Sequence, residues 1–226
     1  MLNWAARYFP ILRALKQHGL LENGTILEIG SGPFGIGTFR KVPFTGCDLS
    51  FAAPAQWPTT QMEASAADLP VADLSFDVVL ASDVLEHVPP SLREQVIRES
   101  LRVARRLVIF GFPSGKPAHA ADRALRENYQ SRNMDVPTWL EEHMDADFPE
   151  PSLFDNIAGW KVDQFSNETL RFHRWMMNGE MNPLFYRVTS RLVRHAPRLM
   201  EPFLRAMDGE PSYRQIFVLS RNDSAA

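Results

Sequence analysis

The segment from Thr25 to Asp48, TILEIGSGPFGIGTFRKVPFTGCD, constrains the fold more than any other part of the chain. Its first part, Ile26 to Ile29, predicts a short buried strand. A glycine-rich turn follows directly, and a second predicted strand closes on Asp48. Because glycine lacks a Cβ atom, backbone N–H groups in such a turn can approach a ligand closely. The segment therefore predicts two strands joined through a ligand-binding turn.

Asp48 stands at the predicted end of the second strand, and the turn before it contains Gly30 and Gly32. In a parallel sheet, ligands bind outside the carboxyl ends of the strands. A carboxylate in that position can accept two hydrogen bonds from a ribose diol. The combination predicts a cofactor that contains a nucleoside, without specifying which one.

Strand and helix patterns alternate as far as residue 115. Further strands are predicted at residues 60–64, 75–81 and 107–110. A helix is predicted between the last two of these strands, and Ser91 and Glu94 have the spacing of a capping box at its start. Strands and helices that alternate with short turns predict an α/β fold with a doubly wound, mostly parallel, Rossmann-like sheet.

Outside this region the pattern is mainly helical. Helices are predicted over residues 4–21, 118–132, 168–177 and 184–207, and strands over residues 159–165 and 213–220. The final segment alternates, which predicts a terminal antiparallel strand that completes a seven-stranded sheet. Because no repeat or low-complexity linker divides the sequence, we expect a single domain over residues 1–226. It would comprise a ligand-binding core at 24–115 and inserted lid helices at 116–211.

Composition excludes several classes of protein. The net charge of −3 and the apolar content of 45% give no reason to expect nucleic-acid binding. The sequence contains no run of about 18 apolar residues, so we expect no transmembrane segment. The N-terminal region also lacks a signal-peptide pattern. Cys47 is the only cysteine, which excludes an intramolecular disulfide and a cysteine-based metal cluster. We expect a cytoplasmic protein and assign no metal ligand.

The spacing Gly30-x-Gly32-x-x-Gly35 also occurs in nicotinamide-dependent oxidoreductases, so alone it is weak. Three features argue against that class. Glu28 stands where those enzymes usually have an apolar strand residue. Asp68 lies in a second acidic turn, where it would meet an adenine amino group. No tyrosine is followed four residues later by lysine, so a Tyr-x-x-x-Lys reductase pair is absent from the sequence.

In combination these motifs resemble the class I S-adenosylmethionine-dependent methyltransferases that act on small molecules. The resemblance rests on the segments ILEIGSGP (26–33), TGCDLS (45–50), AADLP (66–70) and FDVVLASDVLEHV (76–88). It covers residues 24–115, and the chain beyond matches no pattern of the family. The family usually has a third glycine at the position of Phe34, whereas this sequence has it at Gly35.

The resemblance implies S-adenosylmethionine as the cofactor. It implies that the glycine turn passes beneath the methionine portion, while Asp48 binds the ribose and Leu49 packs on the adenine. The Asp68 side chain and the Leu69 backbone are expected at the adenine edge, and the Ser82 carbonyl at the ammonium group. The complete set of expected cofactor-binding residues is Glu28, Gly30, Ser31, Gly32, Asp48, Leu49, Asp68, Leu69 and Ser82.

His87 and Asp83 are the candidates for catalysis, because a base near the acceptor would assist the loss of its proton. The expected acceptor is a hydroxyl or amine of a small metabolite, such as a sugar or natural product. We interpret His119, His143 and His173 as surface or capping residues. The alternative hypotheses are a cofactor-binding regulatory or scaffold protein without catalysis and, more distantly, a nicotinamide oxidoreductase.

Residues 184–205 contain five arginines but only one acidic residue, Glu201. We interpret this segment as a solvated lid over the acceptor. Contact with an anionic membrane or with a lipid-linked acceptor is the alternative.

Overall fold

The computed structural model describes residues 1–145 and 147–222. Its central element is a sheet of seven strands. They are β1 (Ile26–Ile29), β2 (Phe44–Asp48), β3 (Thr59–Glu63), β4 (Phe76–Ser82), β5 (Ala104–Pro113), β6 (Trp160–Thr169) and β7 (Ser212–Arg221). Their spatial order is β3-β2-β1-β4-β5-β7-β6.

Only β7 runs against its neighbours. Strands β1 to β5 pair in parallel, whereas β7 pairs antiparallel with both β5 and β6. The predicted sheet type is confirmed, and the terminal strand is inserted between β5 and the edge strand β6. The chain leaves β1 towards β2 and β3, then returns to place β4 on the other side of β1. This reversal opens a crevice at the carboxyl ends of β1 and β4, where ligands of such sheets bind.

Seven helices surround the sheet within the described part of the chain. They are α1 (Leu2–Gln17), α2 (Pro90–Val103), α3 (Gly115–Ser131), α4 (Thr138–Glu142), α5 (Leu170–Glu180), α6 (Pro183–His195) and α7 (Pro197–Ala206). Short 3₁₀ turns occur at Gly35–Thr38 and Pro151–Phe154. None of the described helices is both long enough and apolar enough to cross a lipid bilayer.

The strands are apolar almost throughout because helices cover both faces of the sheet. On β4, Val79 and Ala81 pack in one core cluster with Val96 and Ile97 of α2. The alternate residues of the same strand pack in a second cluster with α1. Helix α1 thus lies on the opposite face of the sheet from α2.

A third apolar cluster joins the later helices to the start of the chain. Leu2 and Phe9 of α1 pack with Met176 of α5, Val193 of α6 and Leu204 of α7. Helices α5, α6 and α7, which are the expected lid helices, therefore pack on α1. The edge strand β6 also lies within residues 116–211, so that range contributes to the sheet as well as to the lid.

The predicted helix starts differ from the structure by one to three residues, and two of the differences have a clear physical reason. Helix α2 begins at Pro90, and no side chain caps its N-terminus, so the predicted capping box at Ser91 and Glu94 is wrong. Proline is pre-organised for the first helical position, which moves the start one residue earlier. Helix α5 begins at Leu170 rather than at residue 168, because Thr169 caps it by accepting a hydrogen bond from the Phe172 amide at 3.3 Å.

Candidate cofactor and acceptor site

A cavity of about 510 Å³ opens at the carboxyl ends of the central strands. Five of the predicted site residues line it: Gly30, Asp48, Leu49, Asp83 and His87. The other lining residues are mainly apolar and come from the ends of β1 and β2, the turn at 64–67, and helix α2. One cavity thus brings together groups that lie far apart in the sequence.

Asp48 connects the glycine turn to the end of β2. Its Oδ2 accepts a hydrogen bond from the Gly32 amide at 3.1 Å, and its Oδ1 accepts one from the Leu49 amide at 2.8 Å. The Gly30 amide donates to the Cys47 carbonyl at 2.8 Å. A carboxylate has about four lone-pair sites, so Asp48 keeps acceptor capacity for a ribose diol.

Glu28 stabilises the same turn through hydrogen bonds of its side chain. It is buried, and its carboxylate accepts hydrogen bonds from the Tyr8 hydroxyl and the Ile36 amide, each at 2.6 Å. Burial raises the pKa of Glu28 to about 7. Glu28 therefore acts on the turn and does not line the cavity.

Gly35 is required by the position of Glu28. A Cβ atom on residue 35 would lie 2.1 Å from Oε2 of Glu28, and the backbone there has a positive φ of 42°. Only glycine fits such a position without strain. This contact gives a physical reason for the third glycine at Gly35, whereas Phe34 is exposed.

The expected adenine-edge residues lie beside the cavity and do not line it. Asp68 is exposed, and its amide donates to the Ser65 carbonyl at 3.0 Å. Leu69 is buried, and its amide is occupied by Glu99 at 3.0 Å. At this point the cavity is lined by Ala66 and Ala67.

The two serines also lie outside the cavity lining. The Ser31 hydroxyl donates to the Gly32 carbonyl at 2.9 Å, within the glycine turn. Ser82 is buried at the end of β4, and its Oγ has no hydrogen-bond partner among the described residues. The cofactor roles of Ser31, Ser82, Asp68 and Leu69 therefore stay predictions.

Asp83 lies at the cavity wall but is held by two guanidinium groups. Arg214 donates to both of its carboxylate oxygens at 2.6 and 2.7 Å, and Arg7 lies 2.8 Å from Oδ2. Although burial acts in the opposite direction, these two arginines hold the pKa of Asp83 well below its usual range. A carboxylate held in this way is a very weak base, which argues against Asp83 as the proton acceptor.

His87 is the histidine in the lining of the cavity. Its side chain is 31% exposed, and its Nδ1 lies 2.8 Å from Oε2 of Glu142. Burial, followed by the neighbouring His143, lowers the pKa of His87. The contact with Glu142 fixes the ring and leaves Nε2 available.

His143 and His173 do not lie at the surface, because both are buried. His143 does occupy the predicted kind of capping position, at the C-terminus of α4. His143 Nδ1 lies 2.7 Å from Asp122, and His173 Nδ1 lies 2.8 Å from Glu168. Although burial opposes it, hydrogen bonds with Asp122 and Glu168 raise the pKa of His173. His119, in contrast, is half-buried and packs edge-on against Phe148.

These buried polar residues form a network that sequence reasoning missed. Its charges meet at Arg214, which is 1% exposed and contacts Asp83, Glu168 and Asn167. The Tyr213 hydroxyl donates to Asp122 at 2.9 Å. The members come from α3, α5, β6 and β7 and from the turns after β4 and α4, so no local spacing signals their association.

Residues 27–110 match the family model described as "Methyltransferase domain". The matched segment contains the glycine turn, Asp48, and the β4 end with Asp83 and His87. Residues 27–110 form a methyltransferase domain, in agreement with the resemblance to the class I S-adenosylmethionine-dependent enzymes. The cofactor of this methyltransferase domain is S-adenosylmethionine, as the resemblance implied.

Solved structures of methyltransferases share the fold of the whole chain. The plantazolicin methyltransferase BpumL in complex with S-adenosylhomocysteine is 11% identical, with a TM-score of 0.58 over 98% of this chain and 84% of its own. A proposed sarcosine dimethylglycine methyltransferase from Galdieria sulphuraria is 16% identical, with a TM-score of 0.56 over 96% and 85%. Magnesium protoporphyrin IX methyltransferase (ChlM) from Synechocystis PCC 6803 with bound S-adenosylhomocysteine is 15% identical, with a TM-score of 0.54 over 94% and 81%. None of the curated proteins matches the chain by sequence.

The structure brings several of the expected site residues to one crevice. The glycine turn and Asp48 stand between the two halves of the sheet, and His87 lines the same cavity. Asp48, Leu49 and Gly30 also line this cavity, whereas Glu28 hydrogen-bonds the Ile36 amide beyond the turn. The roles of all these residues in cofactor binding stay predictions.

Proposed function

We propose that this methyltransferase transfers the methyl group of S-adenosylmethionine to a hydroxyl or amine of a small metabolite of the sugar or natural-product type. The observation that carries the proposal is that Asp48 and His87 line one cavity. Asp48 offers a ribose contact at one side, and His87 offers a polar group for the acceptor at the other. A single cavity can therefore hold cofactor and acceptor next to each other.

When bound, S-adenosylmethionine supplies a sulfonium methyl group, whose C–S bond breaks as a C–O or C–N bond to the acceptor forms. The residues of the chain bind, align and activate the reactants. Asp48 and the amides of the glycine turn hold the cofactor in one orientation. His87 acts on the acceptor proton, which leaves to solvent. Alignment of this kind supplies much of the rate enhancement in group transfer.

Residues 116–211 supply the acceptor side in this proposal. Helix α4 carries Glu142, which holds the His87 ring, and helix α3 carries Asp122, which holds the neighbouring His143 ring. The lid helices α5 to α7 pack on α1, the helix whose Tyr8 and Arg7 contact Glu28 and Asp83. We also propose a cytoplasmic location. The only cysteine of the sequence, Cys47, is a buried free thiol, which is compatible with a reducing compartment.

Calorimetry and an activity screen test this function together. We expect S-adenosylhomocysteine to bind and NAD not to bind, and we expect one or more members of a panel of hydroxyl and amine metabolites to be methylated. His87→Gln should lower kcat by about 10²-fold or more, in line with the loss of acid–base assistance, and leave S-adenosylhomocysteine affinity unchanged.

His119→Gln is the matched control, since His119 lies outside the cavity lining and packs on Phe148. Cofactor binding without methylation of any acceptor would instead favour the regulatory or scaffold hypothesis. Binding of NAD but not of S-adenosylhomocysteine would overturn the assignment in favour of an oxidoreductase.

A further inference from the structure

Three potential metal ligands converge beside the cofactor cavity. Glu86 and His87 lie in the turn after β4, and His143 follows helix α4. One ligand atom from each side chain can be chosen so that all three lie within 4.8 Å of one another. The rings of His87 and His143 are 4.9 Å apart. His143 belongs to the region where no family motif was found, so the sequence analysis did not connect it with the other two.

The cluster contains buried polar atoms that have no partner. Glu86 is 4% exposed, and neither of its carboxylate oxygens has a hydrogen-bond partner in another described residue. His143 is also 4% exposed, and its Nε2 is likewise unpartnered within the described chain. A buried polar group without a hydrogen-bond partner destabilises the fold, and more so if the group is charged. A bound cation would satisfy all three atoms at once.

Each histidine is oriented by a carboxylate behind it. Asp122 lies 2.7 Å from Nδ1 of His143, and Glu142 lies 2.8 Å from Nδ1 of His87. Asp122 is itself fixed by the Tyr213 hydroxyl at 2.9 Å. Carboxylates in this position fix the ring orientation of metal-binding histidines and leave Nε2 as the ligand atom. The arrangement is repeated on both histidines of the cluster.

We propose that Glu86, His87 and His143 bind a divalent first-row transition-metal cation at the acceptor end of the cofactor cavity. Two imidazoles and one carboxylate suit ions such as Zn²⁺ or Fe²⁺ better than Mg²⁺ or Ca²⁺, which prefer oxygen ligands alone. Three protein ligands leave coordination positions for a further molecule. Because His87 lines the cavity, those positions are on the acceptor side.

The metal site refines the role of His87 and the acceptor class, and this part rests on the proposed function. With a cation in place, His87 is a ligand, and the cation activates the acceptor. A coordinated hydroxyl loses its proton more readily, and that proton passes to solvent before the methyl group is transferred. The site therefore favours an oxygen acceptor, above all one with two adjacent oxygens that can bind the same ion.

Metal binding can be measured without an activity assay. The purified protein is stripped with a chelator and titrated with Co²⁺ by visible absorption and with Zn²⁺ by calorimetry. We expect one cation per chain, and an affinity at least about 10-fold lower in His143→Gln and Glu86→Gln. Asp122→Asn, which acts through His143, should lower the affinity by about 10-fold to 100-fold.

Two further variants separate loss of metal from loss of fold. His87→Gln changes the most exposed ligand and should weaken binding without lowering the melting temperature, whereas His119→Gln should bind the metal as the wild type does. Absence of a Co²⁺ absorption band, or binding that is indifferent to both His87→Gln and His143→Gln, would overturn the metal site. Methyl transfer that persists in the stripped protein would overturn the metal's role in activation and leave the proposed function standing.

A second observation concerns the outer face of α6 and α7. Exposed apolar side chains recur at helical spacing along this face: Leu184, Val188, Leu192, Leu199 and Phe203. Their partners on the inner side, such as Val193 and Leu204, are buried against the lid core. Both helices therefore expose an apolar stripe in addition to the one that they bury.

The same face is strongly basic. Three exposed arginines of α6 stand at helical spacing beside the stripe: Arg187, Arg191 and Arg194. On α7, Arg198 and Arg205 are also exposed and line a groove against α1. The single acidic residue of α6 and α7 is Glu201, which Arg13 of α1 holds at 2.7 Å. The charge of the face is therefore almost entirely positive.

We infer that the α6–α7 face docks onto an anionic lipid surface. Apolar side chains that enter the interface, together with arginines at the headgroups, are the two contributions that bind amphipathic helices to such membranes. Docking there would bring the lid beside a membrane-associated or lipid-linked acceptor.

Vesicle sedimentation tests this surface. We expect binding to phosphatidylcholine vesicles that contain phosphatidylglycerol, much weaker binding to phosphatidylcholine alone, and a decrease at high salt. Leu184→Ser with Leu199→Ser should reduce binding at least about 10-fold, since both leucines would lose the favourable transfer of their apolar side chains from water. Leu74→Ser, at an exposed leucine remote from the lid, is the control. Equal binding to both vesicle types, no binding, or concentration-dependent self-association abolished by the same double change would overturn the inference.

Discussion

Asp48→Ala is expected to weaken the binding of S-adenosylhomocysteine by at least about 100-fold. Hydrogen bonds to a charged group contribute about 1.5–3 kcal/mol each, and a ribose diol would donate two of them to this carboxylate. The substitution also removes the acceptor of the Gly32 and Leu49 amides, which hold the turn in its binding conformation. Titration calorimetry of the wild type and the variant measures the effect.

Asp73→Ala provides the control for this experiment, because Asp73 is an exposed carboxylate that pairs with Arg102 away from the cavity. Its affinity for S-adenosylhomocysteine should equal that of the wild type. Asp48→Asn keeps the acceptor oxygen for the turn and should bind with intermediate affinity. If Asp48→Ala bound as tightly as the wild type while remaining folded, the placement of the ribose on Asp48 would be wrong.

Arg214→Met is expected to destabilise the fold by about 3–5 kcal/mol, the usual cost of removing one partner of a buried ion pair. Arg214 is among the largest fully buried side chains, and its removal leaves Asp83 and Glu168 buried without their main counter-ion. For a chain of this length the melting temperature should fall by roughly 6 to 20 °C. Urea and thermal unfolding at neutral pH measure this loss.

The pH dependence distinguishes lost charge pairing from lost packing. In the wild type, and against the effect of burial, Arg214 lowers the pKa values of both Asp83 and Glu168. Their contribution to stability is therefore present above the pKa values of the unfolded chain and is lost as the pH falls through the folded values. In the variant, burial without a counter-ion raises these pKa values, so acidification from pH 7 to 5 should narrow the difference from the wild type.

Arg98→Met is the matched control, since Arg98 is exposed and makes only an i,i+4 pair with Glu94. Its unfolding free energy should change by less than about 0.5 kcal/mol. A difference between Arg214→Met and the wild type that stayed constant over the pH range would contradict the electrostatic explanation and indicate loss of packing alone.

The comparison of sequence and structure is most informative at the glycine turn. The residues Gly30, Gly32 and Asp48 could be predicted because each follows directly from the end of a strand, and strand ends are visible in local apolar patterns. The shift of the third glycine to Gly35 looked like an irregularity of the motif. Its cause is the Glu28 carboxylate beneath residue 35, a contact between side chain and backbone that no spacing rule contains.

The buried polar network, in contrast, could not be predicted from the sequence. From the sequence alone, His143 and His173 are interpreted as surface or capping residues because they lie in the region that matches no family motif. They are buried because Asp122 of α3, Glu168 of β6, and Tyr213 and Arg214 of β7 surround them. Tyr213 and Arg214 can contact the other members because β7 lies between β5 and β6 in the folded sheet.

The sequence by itself determined the doubly wound sheet, the cofactor turn and the acidic residue at the end of β2. It did so because strand periodicity, glycine turns and strand-end polar residues are local properties of the chain. Only the tertiary structure decided that Asp83 is held by arginines and that His143 stands beside His87. It also decided that Glu86 is buried with no hydrogen-bond partner among the residues that the structure describes. Those properties depend on burial and on charges brought together from distant elements, which local patterns do not record.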